Sequence, residues 1–163
     1  MYRVWLFLHI ISAIVGFGTV FLNGLYGQQA KRRQGVGGLA IAQATESVAK
    51  IATLFIYAVF VSGILLVVES DVWGFDDMWV SAAMGLYIVA LGLSHGLLQP
   101  NVRKMNALMA EMVDAAPPAA GAGGPPPQVA EIGRRGRTVG MVSGALNVMV
   151  LVILYLMIWQ PGA

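Results

Sequence analysis

Four apolar stretches, at residues 4–27, 48–68, 78–98 and 139–159, alternate with short polar ones along the chain. Each is close to the roughly 20 residues that carry a helix across a hydrocarbon core. The first does not read as a secretory signal peptide: its basic cluster, Lys31, Arg32 and Arg33, follows the apolar run instead of preceding it. It is expected to be a retained helix. The pattern therefore predicts an all-α polytopic membrane protein, an antiparallel bundle of four transmembrane helices forming a single domain over 1–163.

Small and polar residues recur every three to four positions within the apolar runs. The first span carries His9, Ser12, Gly16, Thr19 and Asn23; the second carries Lys50, Thr53 and Tyr57, with Ser62 and Gly63 further on. The third carries Ser81, Gly85, Gly92, His95, Gly96 and Gln99, and the fourth Gly140, Ser143, Gly144 and Asn147. Helices in lipid associate where small residues permit close approach and polar groups find partners. Each stripe is thus expected to face the bundle interior, leaving the Leu, Ile, Val and Phe faces to lipid.

Between the spans the pattern changes character. The first inner loop is expected to have a flexible head over 34–38, and residues 39–50 read as an extension of the second helix, with Glu46 and Lys50 in the favourable i,i+4 order. Pro100 is expected to bend or end the third helix. In residues 101–114, Val102, Met105, Leu108, Met109 and Met112 share one face, so a short amphipathic helix is expected to lie along the cytoplasmic membrane surface. The Pro/Gly/Ala-rich stretch 115–129 reads as a flexible linker.

Composition agrees with a membrane chain: 58% of the 163 residues are hydrophobic and only 11% charged, against about 25% charged in soluble domains. The distribution of charge adds a direction. Lys31, Arg32, Arg33 and Lys50 fall in or beside the first loop, and Arg103, Lys104, Arg134, Arg135 and Arg137 in the third. The second loop holds Glu69, Asp71, Asp76 and Asp77 with no base, and Arg3 is the lone base on that side. By the positive-inside rule both termini and the acidic loop lie outside the cytoplasm of a cell inner (plasma) membrane. Trp5, Trp73, Trp79 and Trp159 then gather at the outer interface, where indoles prefer to sit. Nucleic acid is excluded as a partner, since the basic residues sit in short loops beside apolar spans.

The chain has no cysteine, which removes disulfides and thiolate chemistry. No metal-binding spacing, phosphate loop or nucleophile–base set is present, and no acid falls mid-membrane. Two histidines remain as candidate cofactor residues. Span depths place His9 and His95 on the order of 20 Å apart along the membrane normal, so they are expected to act separately and not as the two ligands of one haem or one metal ion. Tyr155 and Met157 are expected to reach His9, with Glu69 near the interface. Asn23, Lys50, His95, Gln99 and Asn147 fall in the cytoplasmic half and are candidates to line a polar cavity. Each polar residue can equally serve as interhelical glue.

The opening run W-L-F-L-H-I-I-S-A-I-V-G-F-G resembles the first helix of the CopD-like and HemJ-like membrane proteins. The run W-V-S-A-A-M-G-L-Y-I-V-A-L-G-L-S-H-G-L-L-Q-P resembles a family of four-helix bacterial membrane proteins defined only as a domain of unknown function. The CopD-like likeness implies copper handling; the HemJ-like likeness implies haem b bound through His9 and porphyrin oxidation, with a lysine taking part. The lysines here, Lys31, Lys50 and Lys104, lie on the cytoplasmic side. Three functions are carried forward from the sequence. The first is an accessory or structural membrane subunit without catalysis of its own, embedded in the lipid bilayer and partnering other membrane proteins or itself as a homo-oligomer. The second is a haem b redox protein using His9 or His95, and the third a carrier or binder of a small molecule or metal.

Overall fold

The computed structural model describes residues 1–33, 35–115 and 127–162. Helix α1 runs over Tyr2–Arg33, α2 over Gly35–Val68, α3 over Met78–Leu93, and α4 over Gln99–Asp114, and α5 over Pro127–Trp159. A π-helical turn, Ser94–Leu98, joins α3 to α4. No strand occurs among the described residues. Four helices, the third being the continuous rod Met78–Asp114, are long and apolar enough to cross a membrane.

These helices exceed what a bilayer needs. With 32, 34, 37 and 33 residues, each is about 50 Å long at the α-helical rise. A hydrocarbon core of about 30 Å leaves roughly 20 Å of each unburied by lipid. The helix ends Tyr2, Val68, Met78 and Trp159 lie together with the acidic loop, so the excess is all at the opposite, basic end. The acidic end is tied down locally. The Trp5 indole N–H donates to Glu69 (3.1 Å), and the terminal amine lies 3.7 Å from the same carboxylate. In the loop, Ser70 accepts from the N–H groups of Val72 and Trp73, and Asp77 from that of Gly74. Trp73 meets Trp79 edge to face, but Trp79 is only 5% exposed. That indole sits at the acidic end but faces the bundle instead of lipid.

The helices are arranged as a tight α1–α2 hairpin set against α3–α4 and α5. Two glycines permit the hairpin. Gly35 has φ +56°, a left-handed conformation that favours glycine at a turn. A Cβ on Gly38 would stand 2.6 Å from the Ala30 carbonyl oxygen. Tyr87 joins the two halves. Its ring packs against Phe60 and Phe17, and its hydroxyl donates to the Ile56 carbonyl at 2.7 Å. Around it Phe17, Val59, Ala83, Val150 and Ile153 form the buried core.

Pro100 neither ends nor breaks its helix. A proline lacks the N–H for the residue four earlier and pushes against that residue's carbonyl. Here the turn before it is widened: the Gln99 N–H reaches back five residues to Ser94, which relieves the i−4 crowding and keeps the rod continuous. The amide of Asn101 donates to the Leu97 carbonyl at 2.8 Å, occupying an acceptor in the disturbed turn.

The amphipathic helix exists, but its apolar face does not rest on the membrane surface. It packs on α2 and α5, with Leu108 buried, Met109 beside Gly38, and Met105 beside Gly136. Flexible methionines filling glycine hollows are a common solution where helices converge. Polar links close the same region. Asn106 donates to Glu46 (2.8 Å), Lys50 approaches Glu46 at 3.2 Å, and Arg135 bridges Glu131 and Asn101 at 2.7 and 2.9 Å. Most of the expected linker, 116–126, lies outside the described residues. Its last members, Pro127, Gln128 and Val129, instead open α5, with proline in the first turn where its missing N–H costs nothing.

Candidate functional site

The two histidines occupy opposite kinds of place. His9 lies in the α1–α2 interface, where a Cβ on Gly63 would come within 3.2 Å of its ring. Its Nδ1 is 3.0 Å from the Val59 carbonyl and 3.2 Å from Ser62 Oγ. A carbonyl can only accept, so Nδ1 carries the proton, and the Ser62 hydroxyl donates onward to the Ala58 carbonyl at 2.6 Å. Nε2 of His9 therefore holds the lone pair, and no side chain among the described residues is bonded to it. Tyr155 and Met157, the neighbours expected from sequence, are exposed on α5; Tyr155 stacks on Trp159.

His95 lies in the π-helical turn and faces outward. Its Nδ1–H donates to the Leu91 carbonyl (3.0 Å), which leaves Nε2 to accept from the Tyr57 hydroxyl at 2.9 Å. Both ring nitrogens are used. The two histidines thus attach to α2 at Tyr57 and at Val59–Gly63, about 3–9 Å of helical rise plus the reach of the tyrosine. They are closer in depth than the span positions predict, but they share no partner.

The five residues expected to line one polar cavity do not do so together. His95 borders a small, partly open hollow of about 50 Å³ with Thr53, Tyr87 and Ser94 among largely apolar neighbours. Asn23, Lys50, Gln99 and Asn147 are not part of its wall. Lys50 is turned toward Glu46. Asn23 and Asn147 each bury a side-chain oxygen with no hydrogen-bond partner among the described residues, and Gln99 is half-buried at the start of α4. This hollow is well below the size of drug-sized ligand pockets, about 300–1,000 Å³. No group of three or more His, Asp or Glu is placed to hold a metal ion among the described residues.

Sequence reading missed Tyr87 and Asn106. Tyr87 falls four residues after Ala83 within an apolar run, so its polar tip gave the only signal. Asn106 sits beside Met105 in the amphipathic segment and is not one of the residues that mark its apolar face. The Asn106 amide, with Lys50 and Arg103 assisting against partial burial, holds the Glu46 carboxyl below the ordinary glutamate range.

A larger groove lies elsewhere, between α1 and α2 near the basic end. It measures about 340 Å³ and is lined by Thr19, Leu22, Tyr26, Ile41, Ala44, Thr45 and Val48. No histidine borders it.

Architecture and site together define an integral membrane protein built from four spanning helices, with histidines used in helix contacts. The chain belongs to the family described as Predicted integral membrane protein (DUF2269), whose profile matches residues 3–161. No curated protein and no solved structure matches it. The full-length match does not show the likeness of α1 to CopD-like and HemJ-like first helices.

Proposed function

We propose that the protein is a non-catalytic accessory subunit of the plasma membrane that assembles laterally with other membrane proteins or with copies of itself. The observation that carries this reading is the outward placement of His95 between Gly92 and Gly96. A Cβ at either glycine, or at Gly85, Gly140 or Gly144, would meet nothing within 4 Å, and both His95 and Tyr57 are exposed. A polar pair facing hydrocarbon costs free energy unless covered. Glycines spaced by four let a neighbouring helix come close enough to cover it.

The basic end faces the cytoplasm in this reading, because nine of the ten Lys and Arg residues lie there. The chain has no native cysteine, so single-cysteine variants report topology cleanly. Ser70→Cys should label with a membrane-impermeant maleimide in intact cells, and Gly37→Cys only after the membrane is opened. The reverse pattern would invert the orientation.

Assembly is tested by solubilising native membranes in mild detergent. The wild-type chain should migrate well above its monomer mass, and Gly92→Leu should shift it to the monomer while helicity and melting are retained. A monomeric wild-type chain, or a Gly92→Leu variant in an unchanged assembly, would contradict the proposal.

A further inference from the structure

The groove between α1 and α2 exists because the hairpin is pinched on both sides of it. Toward the acidic end, a Cβ on Gly16 would lie 3.2–3.3 Å from Ile56; toward the turn, one on Gly38 would lie 2.6 Å from Ala30. Between these close approaches the helices stand apart, leaving the trough of about 340 Å³. Its lining is apolar apart from Thr19, Thr45 and the hydroxyl of Tyr26. Thr19 and Thr45 are not free polar groups, since each hydroxyl donates to its own helix, at the carbonyls of Val15 and Ile41. Leu22, Tyr26 and Val48 stay exposed along it.

Depth says what meets this trough. Counting about 20 residues of hydrocarbon from Val68 at the acidic end puts the opposite boundary near Val48. On α1 the same level falls close to Leu22, because Trp5 meets Glu69 and Ala30 meets Gly38. Thr19 and Val48 therefore lie inside the hydrocarbon, whereas Tyr26 and Ile41 lie about 6–10 Å beyond it, in the headgroup layer. An apolar trough that leaves the hydrocarbon and continues among headgroups is not covered by ordinary bulk chains. Directly above its outer end stands positive charge. Arg33 follows Tyr26 by seven residues, two turns further on the same face of α1, with Arg32 beside it, whereas Lys31 turns toward Gly136 of α5.

We propose that this trough is a binding site for an anionic phospholipid, with an acyl chain between Thr19 and Ile41 and the phosphate against Arg33. Side chains on a helix lean toward its N-terminus, so Arg33 reaches back from the hairpin turn toward the membrane and the Tyr26 hydroxyl. The site is independent of the assembly face on α3 and α5.

Native mass spectrometry of the full chain, released from vesicles of equal phosphatidylglycerol and phosphatidylcholine, tests this. The wild-type chain should retain phosphatidylglycerol in preference. Ala44→Trp, which fills the trough, should lower retention of either lipid by about tenfold or more. Arg33→Gln should keep a lipid but lose the preference for the anionic one. Ala145→Trp, an exposed site on α5, should behave as wild type. In parallel, a Tyr26→Trp variant should be quenched more by brominated phosphatidylglycerol than by brominated phosphatidylcholine. Equal retention of both lipids by wild type, undiminished retention in Ala44→Trp, or an equal loss in Ala145→Trp would each overturn the proposal.

Discussion

Helices α1 and α3 carry the same sequence signal and use it in opposite ways. On α1 the small-residue stripe faces inward: Ser12 and Gly16 are buried, and Gly16 lets the backbone of α2 approach. On α3 the corresponding stripe of Ser81, Gly85, Gly92 and Gly96 faces outward, and the buried face is Trp79, Val80, Ala83 and Tyr87. The physical reason is Tyr87. Its hydroxyl needs a partner in an apolar interior and finds the Ile56 carbonyl, and that bond sets the rotation of α3. Large side chains then fill the space between the hairpin and α5, and the glycines turn away. Small residues on α1 close a contact within the chain, whereas on α3 they leave a surface open for another molecule.

The largest expected effect comes from closing the α1–α2 hairpin. Gly38→Leu sets a side chain against the Ala30 carbonyl, which cannot give way, and should destabilise the fold by about 3 kcal/mol or more. Reversible unfolding in mixed micelles would measure this. The direct contrast is Gly16→Leu against Gly85→Leu. The first should cost about 2 kcal/mol by overpacking against Ile56, and the second should stay within about 0.5 kcal/mol. Equal losses would mean that both stripes are internal contacts.

The histidines extend the contrast at smaller scale. His9→Leu removes a bond inside the hairpin and should cost about 1 kcal/mol. His95→Leu loses only an exposed partner and should leave the isolated chain's melting unchanged while altering its assembly.

The smallest effect is a shift in pH dependence at the basic end. Glu46 is held below its ordinary value, so its stabilising contribution is present above the unfolded-state value and is lost as pH falls through the depressed one. Asn106→Leu removes the main cause and should raise the Glu46 value toward the ordinary glutamate range. Melting temperature followed from neutral to acidic pH should then depend less on Glu46. An unchanged profile would mean that the Asn106 bond does not hold the carboxylate.

The four spans, their antiparallel order and the inward stripe on α1 were legible because hydropathy and helical period act locally. Three features were not. The rotation of α3 depends on a single hydroxyl bonding to a distant carbonyl, and small-residue spacing alone cannot say which face it selects. The π-helical turn before Pro100 reconciles a helix breaker with a continuous rod, an outcome decided by packing on α5. The burial of the α4 methionines rests on hollows at Gly38 and Gly136, contributed by two other helices. Of the candidate site residues, His9 and His95 share no partner, and the groups each one meets, Val59 and Ser62 for one and Tyr57 for the other, lie roughly 40–50 residues away and had no sequence signature.

Photo-crosslinking in native membranes tests the inward–outward contrast most directly. A benzophenone side chain placed at Val89, on the outward face of α3, should give discrete adducts of protein mass, and one at Ile14, on the lipid side of α1, should give lipid adducts alone. Lipid adducts alone from both positions would contradict an assembly surface on α3.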